Sequence, residues 1–76
     1  MKQPVPGDTI LYAQIVNVAP CLREITRVEN GVAAPYIVID RESHNEIEPL
    51  TGLVWDGSKG YWVSQLAQQY KNGHAD

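Results

Sequence analysis

The sequence predicts a mainly β domain: a small antiparallel five-stranded barrel, or a strongly curved sheet, with a short C-terminal helix. Three observations carry that expectation. Runs rich in β-branched and aromatic residues recur between clusters of Gly, Pro, Asn and Asp, the pattern of short strands and turns. Asn30-Gly31 and Asp56-Gly57 each lie between two such runs, as hairpin loops do. After Val63 the apolar residues change to a helical spacing.

The chain has 76 residues, which makes one domain, 1–76, with a thin core. A chain of this size buries only about 60–65% of the surface that its unfolded form exposes. The single cysteine, Cys21, forms no internal disulfide, and disulfide-built secreted proteins of this size carry several. No apolar h-region follows Met1, so no signal peptide is expected. The apolar-rich run from Ile10 to Ala19 is broken by Gln14 and Asn17 and is too short to span a bilayer. These features predict a cytoplasmic protein without a membrane partner. The net charge of −3 disfavours nonspecific nucleic-acid binding, which needs clustered Lys and Arg to neutralise phosphates.

Residues 1–7 hold two prolines and a glycine and are expected to be an irregular lead-in, closed by a Gly7-Asp8 turn. Thr9 to Val18 is the first strand. It has apolar residues on both faces, which predicts a central position, and Ala19-Pro20 ends it. Leu22 to Val28 is a weaker strand. Asn30-Gly31 then predicts a two-residue type I′ loop, since both residues tolerate positive φ. That loop pairs Glu29 with Val32, Val28 with Ala33, Thr26 with Pro35 and Leu22 with Ile39. Pro35 then falls on a non-hydrogen-bonded pair, which leaves a gap on its other side and suggests an edge there. The third strand is Val32 to Ile39. Asp40 to Glu48 is expected as an acidic loop or a solvated strand end.

Leu50 to Ser64 contains both tryptophans and reads as an aromatic hairpin. A five-residue loop, Asp56 to Gly60, pairs Trp55 with Tyr61, Val54 with Trp62 and Leu53 with Val63. Trp55 then shares the core face with Leu53, Tyr61 and Val63, while Trp62 and Val54 face outward. Val63, Leu66, Ala67 and Tyr70 form one helical stripe. Ser64 is the N-cap, without the companion glutamate of a capping box, and Asn72-Gly73 is the stop. Residues 72–76 are expected to fray. Five short strands and a terminal helix give an outline that resembles SH3-type small barrels, in architecture only.

The chemistry-bearing residues form no assembled catalytic set. Asp40, Glu42, His44, Glu46 and Glu48 alternate and would share a face if extended, but their spacing fits no defined metal site and lacks the central glycine of an EF-hand loop. Cys21 follows a proline at a strand junction and is expected to be a half-buried structural residue. The glycines near Asp56 lack the Lys-Ser/Thr of a phosphate loop. No catalytic residue, metal or cofactor is expected. The leading expectation is a non-catalytic interaction module, an accessory or regulatory protein of bacterial type by its size. Its partner would be another protein or a second copy of itself, on a surface of Trp62, Val54 and Tyr70. The alternative is a nucleic-acid-binding small barrel in which Arg23 and Arg27, on one strand face, flank Tyr36 across the hairpin.

Overall fold

The computed structural model describes residues 2–15, 18–32, 34–41 and 44–73, and the side chains of all of these except 40, 41, 44 and 45. Among the described residues the elements are β1 (Thr9–Tyr12), β2 (Cys21–Asn30), β3 (Pro35–Arg41), β4 (His44–Pro49), a 3₁₀ turn (Leu50–Gly52), β5 (Val54–Asp56), β6 (Tyr61–Val63) and α1 (Gln65–Gly73). The fold is mainly β, with one C-terminal helix. Six strands form one sheet in the order β4-β3-β2-β1-β6-β5, and the sheet does not close into a barrel. It is mixed rather than antiparallel, because β6 lies parallel to β1, Ile10 beside Trp62 and Leu11 beside Val63. Apolar residues on both faces suit β1 and β6 to these interior positions.

The sheet bends at β2. Cys21 to Glu24 pair with β1, and Ile25 to Asn30 pair with β3. Between the two stretches Thr26 is an extra residue, a bulge, and its Oγ1 donates to the Val38 carbonyl (2.9 Å). Connectivity requires such bending. Five strand spacings separate β4 from β5, about 24 Å in a flat sheet, while the five residue steps from Pro49 to Val54 reach at most about 18 Å. The curled sheet encloses one core. Ile10, Tyr12 and Trp62 enter from one half and Ile25, Ile37 and Ile39 from the other, with Leu50, Leu53 and Trp55 against them. A second, smaller cluster of Ala13, Val63 and Ala67, flanked by Leu11, Tyr61 and Leu66, docks α1 on the outer face.

Several local expectations change. The first strand stops at Tyr12 rather than Val18; Ile15 and Val18 are exposed, and Val16 is outside the described residues. β1 is nonetheless central, between β2 and β6. Gly7 does make a turn: with φ +95° it follows Pro6, and the Asp8 N–H donates to the Val5 carbonyl (3.0 Å). The lead-in is held, since the Gly7 N–H donates to the Ile25 carbonyl and the Ile25 N–H to the Asp8 carbonyl, both at 2.9 Å.

The middle hairpin is not a type I′ loop, and Gly31 does not take positive φ. The last pair is Asn30 with Pro35, and the Gly31 N–H donates to the Ala34 carbonyl (3.1 Å). Gly31 is still needed, for space. A Cβ there would lie 2.8 Å from that carbonyl oxygen and 3.0 Å from the Tyr36 ring. β3 is not an edge either, because β4 pairs with it. The gap foreseen beside Pro35 is present, however, since that ladder ends one residue earlier, at Tyr36 and Pro49.

The stretch expected as an acidic loop or a solvated strand end is strand at both ends: Asp40 and Arg41 end β3 and His44 to Glu48 form most of β4, while residues 42 and 43 lie outside the described residues. The aromatic hairpin slips by one residue. Val54 pairs with Val63, Trp55 with Trp62, and Asp56 with Tyr61. The shorter loop is favoured locally. Asp56 Oδ1 accepts from the Ser58 hydroxyl (2.8 Å) and from the Ser58 and Lys59 N–H groups (both 3.1 Å), and the Gly60 N–H donates to the Asp56 carbonyl (2.8 Å). The Ser58 hydroxyl, followed by those backbone N–H groups, holds the Asp56 carboxyl below the usual carboxylate range. The slip also turns Trp62 inward beside Trp55: Trp62 is 4% exposed and belongs to the core, not to an outer face.

α1 forms where expected but runs through Asn72 and Gly73, which are helical rather than frayed. Ser64 caps it, its Oγ accepting from the Ala67 N–H (3.3 Å). The tail at 74–76 lies outside the described residues. No helix among the described residues is long and apolar enough to cross a membrane.

Candidate interaction cleft

The one-residue slip places Trp55 and Trp62 on the same face, opposite each other on adjacent strands. Their rings meet edge to face, with centroids 5.2 Å apart and planes at 61°, a preferred aromatic geometry. The pair lies beside the open seam of the sheet, where the chain crosses from β4 to β5. Leu50 and Leu53, at the two ends of that crossing, complete the floor of a cleft of about 340 Å³. Its remaining lining is the chain's own lead-in, Lys2 to Pro4. Pro4 is buried there, and the Lys2 ammonium stands 4.4 Å from the Trp55 ring centroid.

Asp8 anchors this arrangement. Its Oδ2 accepts the Trp62 indole N–H (3.0 Å) and the Val5 N–H (3.2 Å). The buried indole is thereby satisfied, and a carboxylate is set at its edge. Neither Asp8 nor Lys2 was singled out by sequence reasoning. A Pro-Gly-Asp turn was legible, but its contact with a tryptophan 54 residues away was not.

The expected interaction residues are not brought together. Val54 is exposed on the outer face with Val63, Trp62 points inward, and Tyr70 is half-buried on α1. The bulge at Thr26 likewise separates Arg23 from Arg27. Arg23 lies on the face of Ile10 and Ile25, with its Nη1 donating to the Leu22 carbonyl (3.2 Å). Arg27 lies on the other face with Val38 and Tyr36. There it makes an ion pair with Glu29, which also accepts from the Tyr36 hydroxyl (3.5 Å). Cys21 is exposed rather than half-buried.

The five alternating residues do not all share a face: the register places Asp40 opposite Asn45, on the other face from Glu46 and Glu48, and Glu42 lies outside the described residues. Glu46 and Glu48 pair with Ile39 and Ile37 and are 9% and 8% exposed. Glu48 Oε1 accepts the Gln65 N–H (3.4 Å) at the start of α1, where helix N–H groups lack partners within the helix. Burial pushes the Glu48 carboxyl above the usual range, and the Gln65 N–H opposes this in part. Among the described residues no group of three His, Cys, Asp or Glu side chains is placed to hold a metal ion. The His44 side chain lies outside them.

In comparisons with known proteins, the chain matches no family model, no curated protein and no solved structure.

Proposed function

We propose that the protein is a small, non-catalytic interaction module of the cytoplasm, and that it binds an extended segment of another protein in the two-tryptophan cleft. One observation carries this reading: among the described residues, the cleft is lined by an apolar floor of Leu50, Leu53, Trp55 and Trp62 and by three lead-in residues of the chain itself. Its apolar floor is of the size and character of pre-formed binding sites, and tryptophan is enriched among residues that carry binding energy. An exposed free thiol at Cys21 fits a reducing compartment. The nucleic-acid reading has less support, because Arg23 and Arg27 face opposite sides of β2 and Glu29 neutralises Arg27.

Peptides selected on the folded protein from a random library test the reading, with their sites mapped by amide, indole and methyl chemical shifts. Perturbations centred on Leu50, Leu53 and Trp55 are expected. Selected peptides that perturb another surface, or a selection that yields none, would overturn it. Light scattering on the eluting protein separates self-association from capture of another chain.

A further inference from the structure

We infer that the cleft selects a lysine side chain, carried by a proline-flanked extended segment of the partner, and that Lys2 to Pro4 stand in for that segment in the free protein. This inference rests on the docking role assigned above to the same cleft. The Lys2 ammonium lies 4.4 Å from the Trp55 centroid, well inside the roughly 6 Å within which an indole face attracts a cation. Among the described lining residues, Lys2 alone is charged. Once it leaves, the described lining keeps an aromatic face and holds no cation.

The surrounding charge favours the same ligand. Asp8 holds a carboxylate at the Nε1 edge of Trp62, and the chain is net negative by three. The indole N–H of Trp62 is already donated to Asp8, so Trp62 contributes ring surface to the cleft and leaves its donor outside the recognition.

The stand-in is built to be displaced. The hydrogen bonds that anchor the lead-in begin at Val5, with its N–H on Asp8, and continue through Gly7 and Asp8 to Ile25. Lys2 to Pro4 lie beyond these ties and line the cleft, with Pro4 buried and the Lys2 ammonium over the Trp55 ring. Pro4 fixes its own φ and restricts Gln3 to extended backbone. A partner segment of similar composition meets the cleft with little conformational entropy to lose.

The test uses the full chain and its Lys2→Ala variant, titrated with the peptide acetyl-Lys-Gln-Pro-Val-amide and with its norleucine counterpart. Norleucine keeps an aliphatic chain and removes the charge. Binding is read from the methyl resonances of Leu50 and Leu53, which line the cleft in every variant. In the Lys2→Ala variant the lysine peptide is expected to bind about two- to fivefold tighter than the norleucine peptide, the range of an exposed cation–π contact. It is also expected to bind the variant more tightly than the wild type, whose own Lys2 competes as a tethered ligand. Trp55→Leu should remove the lysine preference while the amide spectrum stays dispersed. Equal binding of the two peptides in the cleft overturns the lysine selection and leaves the docking role standing. Equal affinity of wild type and Lys2→Ala overturns the stand-in. Binding of neither peptide overturns the inference; if the library selection also places nothing in the cleft, the docking role falls with it.

Discussion

At the β6–β5 edge of the sheet the residues that face the core are Trp62 and Trp55; at the β4 edge they are Glu46 and Glu48. Both stretches alternate, and alternation fixes which residues share a face. It does not fix which face turns inward. At the aromatic edge two large rings share the inner face, and the small Val54 is left outside. At the acidic edge the expected order is inverted: Ile47 is 57% exposed while its glutamate neighbours are buried. Glu48 is held there by the Gln65 N–H at the start of α1, a partner that exists only once the helix has docked. Hydrophobic burial sets the phase at one edge, and satisfaction of a helix end helps to set it at the other.

The contrast is broken most severely at Trp62. Trp62→Ala should cost about 3–5 kcal/mol of unfolding free energy, the usual loss for emptying a large aromatic site. Trp55→Ala should cost less by at least about 1 kcal/mol, because Trp55 is only partly buried against that cluster. Urea titrations of both variants check the order, and equal losses would erase the distinction between a core ring and a cleft ring.

Asp8→Ala should follow, at about 1–3 kcal/mol, since it leaves the Trp62 indole N–H without its acceptor. The same titration in the Trp62→Ala background should show most of that cost gone, the coupling expected of a direct contact.

At the acidic edge the effect is one of pH. The folded protein holds the Glu48 proton to higher pH than the unfolded chain does, because burial raises its pKa. Glu48 therefore favours folding at low pH, and this contribution is lost as pH rises from the ordinary glutamate value, about 4.3, through the raised folded value. Unfolding midpoints of wild type and Glu48→Gln, followed from pH 7 down to about pH 4.5, should move in favour of wild type as pH falls. A difference that stays constant with pH would mean that Glu48 is not desolvated. The smallest effect belongs to Ile47→Thr, expected within about 0.5 kcal/mol for an exposed strand position. A loss above about 2 kcal/mol would place Ile47 in a buried contact and undo the inverted phase.

Local chemistry made parts of this fold legible. Ser64 caps the helix, Val63, Leu66 and Ala67 of the expected stripe dock it, Gly7 turns the lead-in, and the two-faced apolar character of the first strand marks it as central. Each follows from residues within one or two turns of chain. The two hairpin registers failed because the loop was judged from its glycine. At Asp56 the carboxylate closes a tighter loop by gathering the Ser58 and Lys59 N–H groups. At Asn30-Gly31 the pairing moves four residues further along, and the bulge at Thr26 then reverses the faces of Arg23 and Ile25. A one-residue slip exchanges every side chain between faces, which is how Trp62 passed from expected anchor to core and the cleft took shape on Trp55.

By itself the sequence determined the mainly β class of the fold, the turns at Gly7 and after Asp56, and the place of the helix, because those depend on local backbone preference and composition. Register, the parallel pairing of β1 with β6, the inward glutamates and the seating of Lys2 on Trp55 were decided only by the tertiary structure. Each of these joins residues distant in the chain, and their energies arise when the curled sheet brings two faces, a helix end and the lead-in within contact distance. Neither spacing nor composition encodes that distance.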